Sequence, residues 1–349
     1  MLTTLFFLSS GMFLGWSLGA NDAANVFGTA VGTKMIRFRT AALIGSLFVI
    51  IGAVAGGAGG AHTLGRLGSV NALPGAFTVA LAAGFTVMWM TRLKLPVSTT
   101  QSIVGAIIGW NLFSGMDTDF SSLTTIVSTW VICPLLTAFF AFIFYYFFKL
   151  LLKRFRIGII RMDVYTRTGL IIAGAFGAYS LGANNIANVM GVFVPVSPFQ
   201  DSTVGGVFTF SSAQQLFLLG GIAIAVGIYT YSYKVMKTVG SDLYKLSPLA
   251  AFIVVLASAT VLFLFASQDL KTWLEIRNLP SFPLVPVSSS QAVVGGVIGI
   301  GIARGGRNIN LRILGRISIG WVSTPLTAGL TSFLLLFIVQ NLFLLEVYL

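Results

Sequence analysis

The chain has 349 residues, 56% hydrophobic and 9% charged, with a mean hydropathy of +0.94 and a formal net charge of +12. Soluble domains carry roughly a quarter charged residues, so this composition excludes a soluble protein and describes an integral membrane one. A lone Cys133 and a lone His62 leave no constellation for a metal centre or a nucleophile–base pair, which argues against an enzyme.

Ten apolar segments follow one another, at 3–31, 41–60, 72–91, 95–113, 122–148, 168–194, 212–233, 248–266, 283–303 and 317–345. Their lengths suit transmembrane or re-entrant helices, of which about 20 residues make a crossing. The first segment lacks a basic n-region and a small-residue cleavage site, so it reads as a retained span. Whether 95–113 and 283–303 cross fully or re-enter is open at this level.

Lys34, Arg37 and Arg39 follow the first segment, and Arg92 and Lys94 the third. Lys149, Lys153, Arg154, Arg156, Arg161 and Arg167 fill the centre; Lys234, Lys237 and Lys245 follow the seventh segment; Arg304, Arg307, Arg312 and Arg316 follow the ninth. With one crossing per segment, 18 of the 21 basic residues fall on one side, leaving Arg66, Lys271 and Arg277 opposite. The positive-inside rule makes that side cytoplasmic and puts both termini outside. The distribution accounts for the net charge, so no nucleic-acid partner is expected. The partner is a lipid bilayer.

Five crossings per half mean that the halves run in opposite directions, and the sequence repeats accordingly. Gly19-Ala20-Asn21-Asp22-Ala23-Ala24-Asn25 returns as Gly182-Ala183-Asn184-Asn185-Ile186-Ala187-Asn188. Leu95-Pro96-Val97-Ser98-Thr99-Thr100-Gln101 returns as Val285-Pro286-Val287-Ser288-Ser289-Ser290-Gln291, and Trp130 and Pro134 return as Trp321 and Pro325. The expected architecture is all-α, with 10–12 helical segments in two inverted-topology repeats broken near mid-membrane. The repeats are 1–148 and 168–349, joined by a basic cytoplasmic linker at 149–167. Such repeats are a hallmark of secondary transporters.

Asp22 is an acid where a span should have none. A carboxylate at mid-membrane costs at least roughly 2.5–3.5 kcal/mol, which marks it as functional. Asn21 and Asn25, four apart, share a helical face with Asp22 turned about 100° aside. Gly19 and the amides predict local unwinding that frees carbonyl oxygens. Neutral oxygens with one carboxylate suit a hard cation such as sodium. The Pro-Val-Ser strings read as helix starts, with Ser and Thr as caps and Pro in the first turn. A helix start offers free N–H groups and a partial positive charge, hence an anion site. Asp22 either binds a cation or accepts from a protonated anion; the sequence leaves both open. Arg92 and Lys94 read as membrane-edge snorkelling residues.

These blocks resemble the PiT family of inorganic phosphate transporters across essentially the whole chain. The resemblance implies a cation-coupled phosphate symporter working by alternating access. Asp22 matches the family's signature acid, and Asn21, Asn25, Asn184 and Asn188 match its amides; Asn185 departs, since many members carry Asp there. The expected phosphate ligands are Asp22, Ser98, Thr99, Thr100, Asn185, Ser288, Ser289 and Ser290. The expected sodium ligands are Asn21, Asp22, Asn25, Gln101, Asn184, Asn188 and Gln291. Sodium is expected as the coupling ion, without other cofactors, because Asp22 has no second acid or His for a proton relay. The alternatives are a proton-coupled phosphate or sulfate permease and, further off, an anion channel. With only 150–166 joining the halves, the long insertion of animal members is missing. That points to a prokaryotic plasma membrane, with a homodimer as the commonest closed assembly.

Overall fold

The computed structural model describes residues 2–93, 97–155, 158–204, 208–238, 246–305 and 311–349. Lys94, Leu95, Pro96, Arg156, Lys245 and Arg307 lie outside them. The first half comprises α1 (Leu2–Gly32), α2 (Phe38–Gly56), α3 (Ala58–Leu67), α4 (Leu73–Arg92), α5 (Thr99–Ser114) and α6 (Phe120–Phe155). The second comprises α7 (Ile159–Met190), a hairpin of β1 (Ser202–Val204) and β2 (Phe208–Phe210), then α8 (Ser212–Thr230) and α9 (Ser232–Thr238). It closes with α10 (Pro248–Ala266), α11 (Gln268–Ile276), α12 (Ser289–Ala303) and α13 (Leu311–Asn341).

Among the described residues, eight helices are long and apolar enough to cross a membrane. The segments expected at 95–113 and 283–303 become α5 and α12, of 16 and 15 residues. At 1.5 Å per residue each covers about 22–24 Å, short of a bilayer core of roughly 30 Å. For α12 the missing length is the non-helical chain at 279–288 that leads into its start. The basic stretch between the halves is carried largely by the ends of α6 and α7.

Helix packing interleaves the halves. α5 lies along α13 and α12 along α6, while α1 packs on α8 and α7 on α2. The contacts correspond pair by pair. A Cβ on Gly105 of α5 would collide with the Pro325 carbonyl of α13, and one on Gly295 of α12 with the Pro134 carbonyl of α6. In a membrane, small residues let backbones approach where apolar burial alone gives no preference over lipid. α6 and α13 form the rim: Val131, Leu135 and Phe139, and Val322, Leu326 and Leu330, all face outward.

The N-terminus of α6 is held by Asp119, whose Oδ1 accepts from Ser121 N at 3.0 Å and Oδ2 from Ser122 Oγ at 2.7 Å. The Ser122 hydroxyl, then the Ser122 and Ser121 amides and Arg66, keep its carboxyl below the ordinary carboxylate range.

Candidate functional site

The two amide motifs sit on α1 and α7, and both helices run unbroken through them. This corrects the expected unwinding at Gly19. The reason for the glycine is steric: a Cβ there would meet the Ile224 carbonyl of α8, and one on Gly182 the Val49 carbonyl of α2. Backbone carbonyls within the motifs stay in the helical ladder, so the motifs act through their side chains.

The starts of α5 and α12 confirm Ser98 and Ser288 as caps, but they correct the proline: Pro286 lies two residues before the cap of α12, outside its first turn, and Pro96 lies outside the described residues. Ser98 and Ser288 are extended N-caps, each hydroxyl accepting from the backbone N of Gln101 or Gln291 at 3.3 Å. That leaves the first N–H groups of each helix, at Thr99 and Thr100 and at Ser289 and Ser290, without an intrahelical acceptor. The two starts approach each other: Thr100 Oγ1 donates to the Val287 carbonyl at 3.4 Å. Two positive helix ends therefore converge on one region.

The amide helices bridge to these starts across the repeat boundary. Asp22 Oδ2 accepts from Ser289 Oγ at 2.9 Å, and Asn25 Nδ2 donates to the same hydroxyl at 3.1 Å. Asn21 Nδ2 donates to Asp22 Oδ1 at 2.7 Å. The sequence paired Asn21 with Asn25 on one face; the structure gives Asp22 and Asn25 the common partner, because α12 approaches α1 between them. On the other side, Asn188 Nδ2 donates to Thr100 Oγ1 at 2.9 Å and to Asn185 Oδ1 at 2.8 Å. Asn184 holds the lead-in to α12: its Oδ1 accepts from Val287 N at 3.0 Å and its Nδ2 donates to the Val285 carbonyl at 3.5 Å. The sequence missed Val285 and Val287 because backbone groups leave no mark on residue type.

The equivalence stops at the charge. Asp22 and Ser289 correspond to Asn185 and Thr99, yet Asn185 Nδ2 has no hydrogen-bond partner, and Thr99 Oγ1 lies near the Asp22 carboxylate without completing a hydrogen bond to it. At this junction three buried amide oxygens also lack a donor, namely Gln101 Oε1, Asn188 Oδ1 and Gln291 Oε1. A buried polar atom without a partner costs about 1–3 kcal/mol, and of the fourteen such atoms among the described residues these five cluster at one junction, which marks it as a candidate binding region. They divide by chemistry. Thr99 and Asn185 are donors suited to an oxyanion, whereas Gln101, Asn188 and Gln291 present oxygens suited to a hard cation. Asn21, Asn25 and Ser290 are partly exposed, while Asn184, Asn185, Asn188, Thr99 and Thr100 are buried. Ser288 Oγ and Ser290 Oγ lie 3.0 Å apart beside them. All the expected ligands thus gather around one junction of four helices, and Cys133 is packing beneath it, its Sγ 3.8 Å from the Ser288 carbonyl.

Comparison with known proteins identifies the family and the fold. The profile described as "Phosphate transporter family" matches residues 18–165, 153–332 and 276–347. A protein of Pyrococcus abyssi, named provisionally as a phosphate permease, is 28% identical over 92% of this chain and 94% of its own length. One of Methanocaldococcus jannaschii, named in the same way, is 28% identical over 93% of each chain. A solved structure described as "The sodium-dependent phosphate transporter" shares the fold, with a TM-score of 0.76 and 24% identity over 97% of this chain and 99% of that one. A multi-pass membrane chain that the profile matches from residue 18 to residue 347, it belongs to the phosphate transporter family.

Proposed function

We propose that this protein is a sodium-coupled symporter that brings inorganic phosphate into the cell by alternating access. The observation that carries this reading is the division of unpartnered buried atoms into donors at Thr99 and Asn185 and oxygens at Gln101, Asn188 and Gln291, around the single carboxylate of Asp22. Phosphate would sit between the ends of α5 and α12, held by Ser98, Thr99, Thr100, Ser288, Ser289 and Ser290 with Asn185. Cations would sit behind it, on Asn21, Asp22, Asn25, Asn188 and the two glutamines. Asn184 Oδ1, which already accepts one N–H, keeps a second lone pair for such a cation. An ionised carboxylate buried this deeply needs a cationic partner, and sodium supplies it without a proton relay. The name of the solved structure that shares the fold points the same way. The halves 1–148 and 168–349 would act as inverted repeats about the 149–167 linker, in the plasma membrane with both termini outside.

The test is phosphate uptake into proteoliposomes under an imposed sodium gradient or an imposed pH gradient. Uphill accumulation is expected with sodium alone. Uptake that follows the pH gradient and ignores sodium would replace the symport reading by proton coupling.

Asn185→Asp probes the missing charge. A carboxylate there would still accept from Asn188 Nδ2 but would repel an anion lying at Thr99. The phosphate KM is expected to rise about tenfold, as one lost charge-assisted contact of roughly 1.4 kcal/mol implies, with a steeper sodium dependence. Initial rates across both concentrations check it.

A further inference from the structure

Three basic residues fall on the face assigned to the outside, among the acids Asp117, Asp119, Asp201, Asp269 and Glu275, and two of the three line one cavity although they are far apart in sequence. Arg66 of α3 and Lys271 of α11 line one cavity of 640 Å³, together with His62, Thr63, Ser122 and Gln268. His62 and Arg66 are one turn apart on α3, so both project toward the same space. The floor of the cavity is the lead-in to α12, at Pro283, Leu284 and Val285. Thr63 Oγ1 donates to the Leu284 carbonyl at 2.7 Å, and the Val285 carbonyl accepts from Asn184 on the far side. The cavity therefore lies against the non-helical segment whose end caps α12 at Ser288. Two residues, Pro286 and Val287, separate Val285 from that cap, a span of about 10 Å across three Cα steps.

Two carboxylates face these bases. Asp119 Oδ2 is 3.9 Å from Arg66 Nε, and Glu275 Oε1 is 3.7 Å from Lys271 Nζ. Both acids already have other work. Asp119 caps α6, and Glu275 Oε1 accepts from Ser281 Oγ at 2.9 Å. Long, solvated ion pairs of this kind hold little energy, so the bases remain free to turn toward an incoming anion.

We propose that this cavity is an outer docking site for a tetrahedral oxyanion, where Arg66 and Lys271 collect inorganic phosphate before the 283–285 floor admits it to the helix ends. The inference rests on the phosphate-transport reading and adds a site to it. Two bases that can turn from these long ion pairs onto an anion raise its residence at the cavity and its rate of capture, an effect that salt screens. It acts before the transport step, so its loss should appear in KM and not in the maximal rate.

The experiment measures initial phosphate uptake by right-side-out vesicles at fixed sodium. The double variant Arg66→Gln with Lys271→Gln is expected to raise the KM about five- to tenfold at an unchanged maximal rate. The charge-preserving pair Arg66→Lys with Lys271→Arg should keep the wild-type KM. Adding choline chloride should raise the wild-type KM toward that of the neutral pair, since exposed charges are screened within about 8 Å at 0.15 M. Equal KM values for wild type and neutral pair would overturn the proposal, as would a wild-type KM indifferent to salt. A lower maximal rate that the charge-preserving pair fails to rescue would also overturn it, in favour of a structural role. A wild type that takes up no phosphate would overturn the transport reading and the docking site together. Equal KM values with intact uptake would overturn only the docking site.

Discussion

Asp22→Asn is expected to abolish coupled phosphate uptake while leaving the protein folded. The geometry separates the two effects. An amide at position 22 can keep its oxygen toward Asn21 Nδ2 and turn its nitrogen to Ser289 Oγ, which accepts as readily as it donates. Shape and hydrogen bonds survive; the charge does not. Contacts to a charged group contribute about 1.5–3 kcal/mol, so the variant should lose roughly ten- to a hundredfold in uptake from this term alone. The check pairs uptake under a sodium gradient with the melting temperature and elution profile of the solubilised protein. Sodium-driven uptake at the wild-type rate would show that the carboxylate has no part in coupling.

The second large effect is on assembly. Gly105→Ala introduces a single methyl where α5 lies against α13, directly at the Pro325 carbonyl. A backbone oxygen has no rotamer in which to retreat, so the helices must separate over several turns. Overpacking usually costs about 1–3 kcal/mol when side chains can yield, and the cost here should reach or exceed the top of that range. The expected result is a marked fall in melting temperature or in the yield of monodisperse protein. Gly295→Ala should behave alike, because it meets Pro134 in the equivalent crossing. Gly65 is the control: a Cβ there has no atom within 4 Å, and Gly65→Ala on the helical α3 should be neutral or stabilising by about 0.5–1 kcal/mol. A Gly105→Ala protein as stable as wild type would mean that the α5–α13 crossing is looser than it stands here.

Both predictions concern residues that the sequence marks in different degrees. Asp22 is visible at once, because an acid inside an apolar run is costly without a purpose. The caps at Ser98 and Ser288 are equally legible, since capping is a local matter of one side chain and its own helix. Gly19 is the contrary case. Its type is compatible with a kink or with a crossing, and only the position of Ile224 on α8 decides for the crossing. The pairing of amides with helix starts was also hidden. Helical periodicity places Asn21, Asp22 and Asn25 on neighbouring faces but does not say where α12 will approach. The commitment of Asn184 to the backbone of 285–287 had no signature, because main-chain donors and acceptors are common to nearly every residue.

The sequence by itself determined a membrane protein of two related halves, a polar site repeated in each, and a charge present in only one. These follow from composition, spacing and local helix chemistry, which act within a few residues. The tertiary structure decided that α1 and α7 stay continuous, that α5 and α12 stop short and meet end to end, and that each half packs into the other. It also decided which polar atoms are left without partners, and so where an anion and a cation would fit. Those properties depend on the close approach of residues between 88 and 267 positions apart, which is a condition on backbones in space and has no period along the chain.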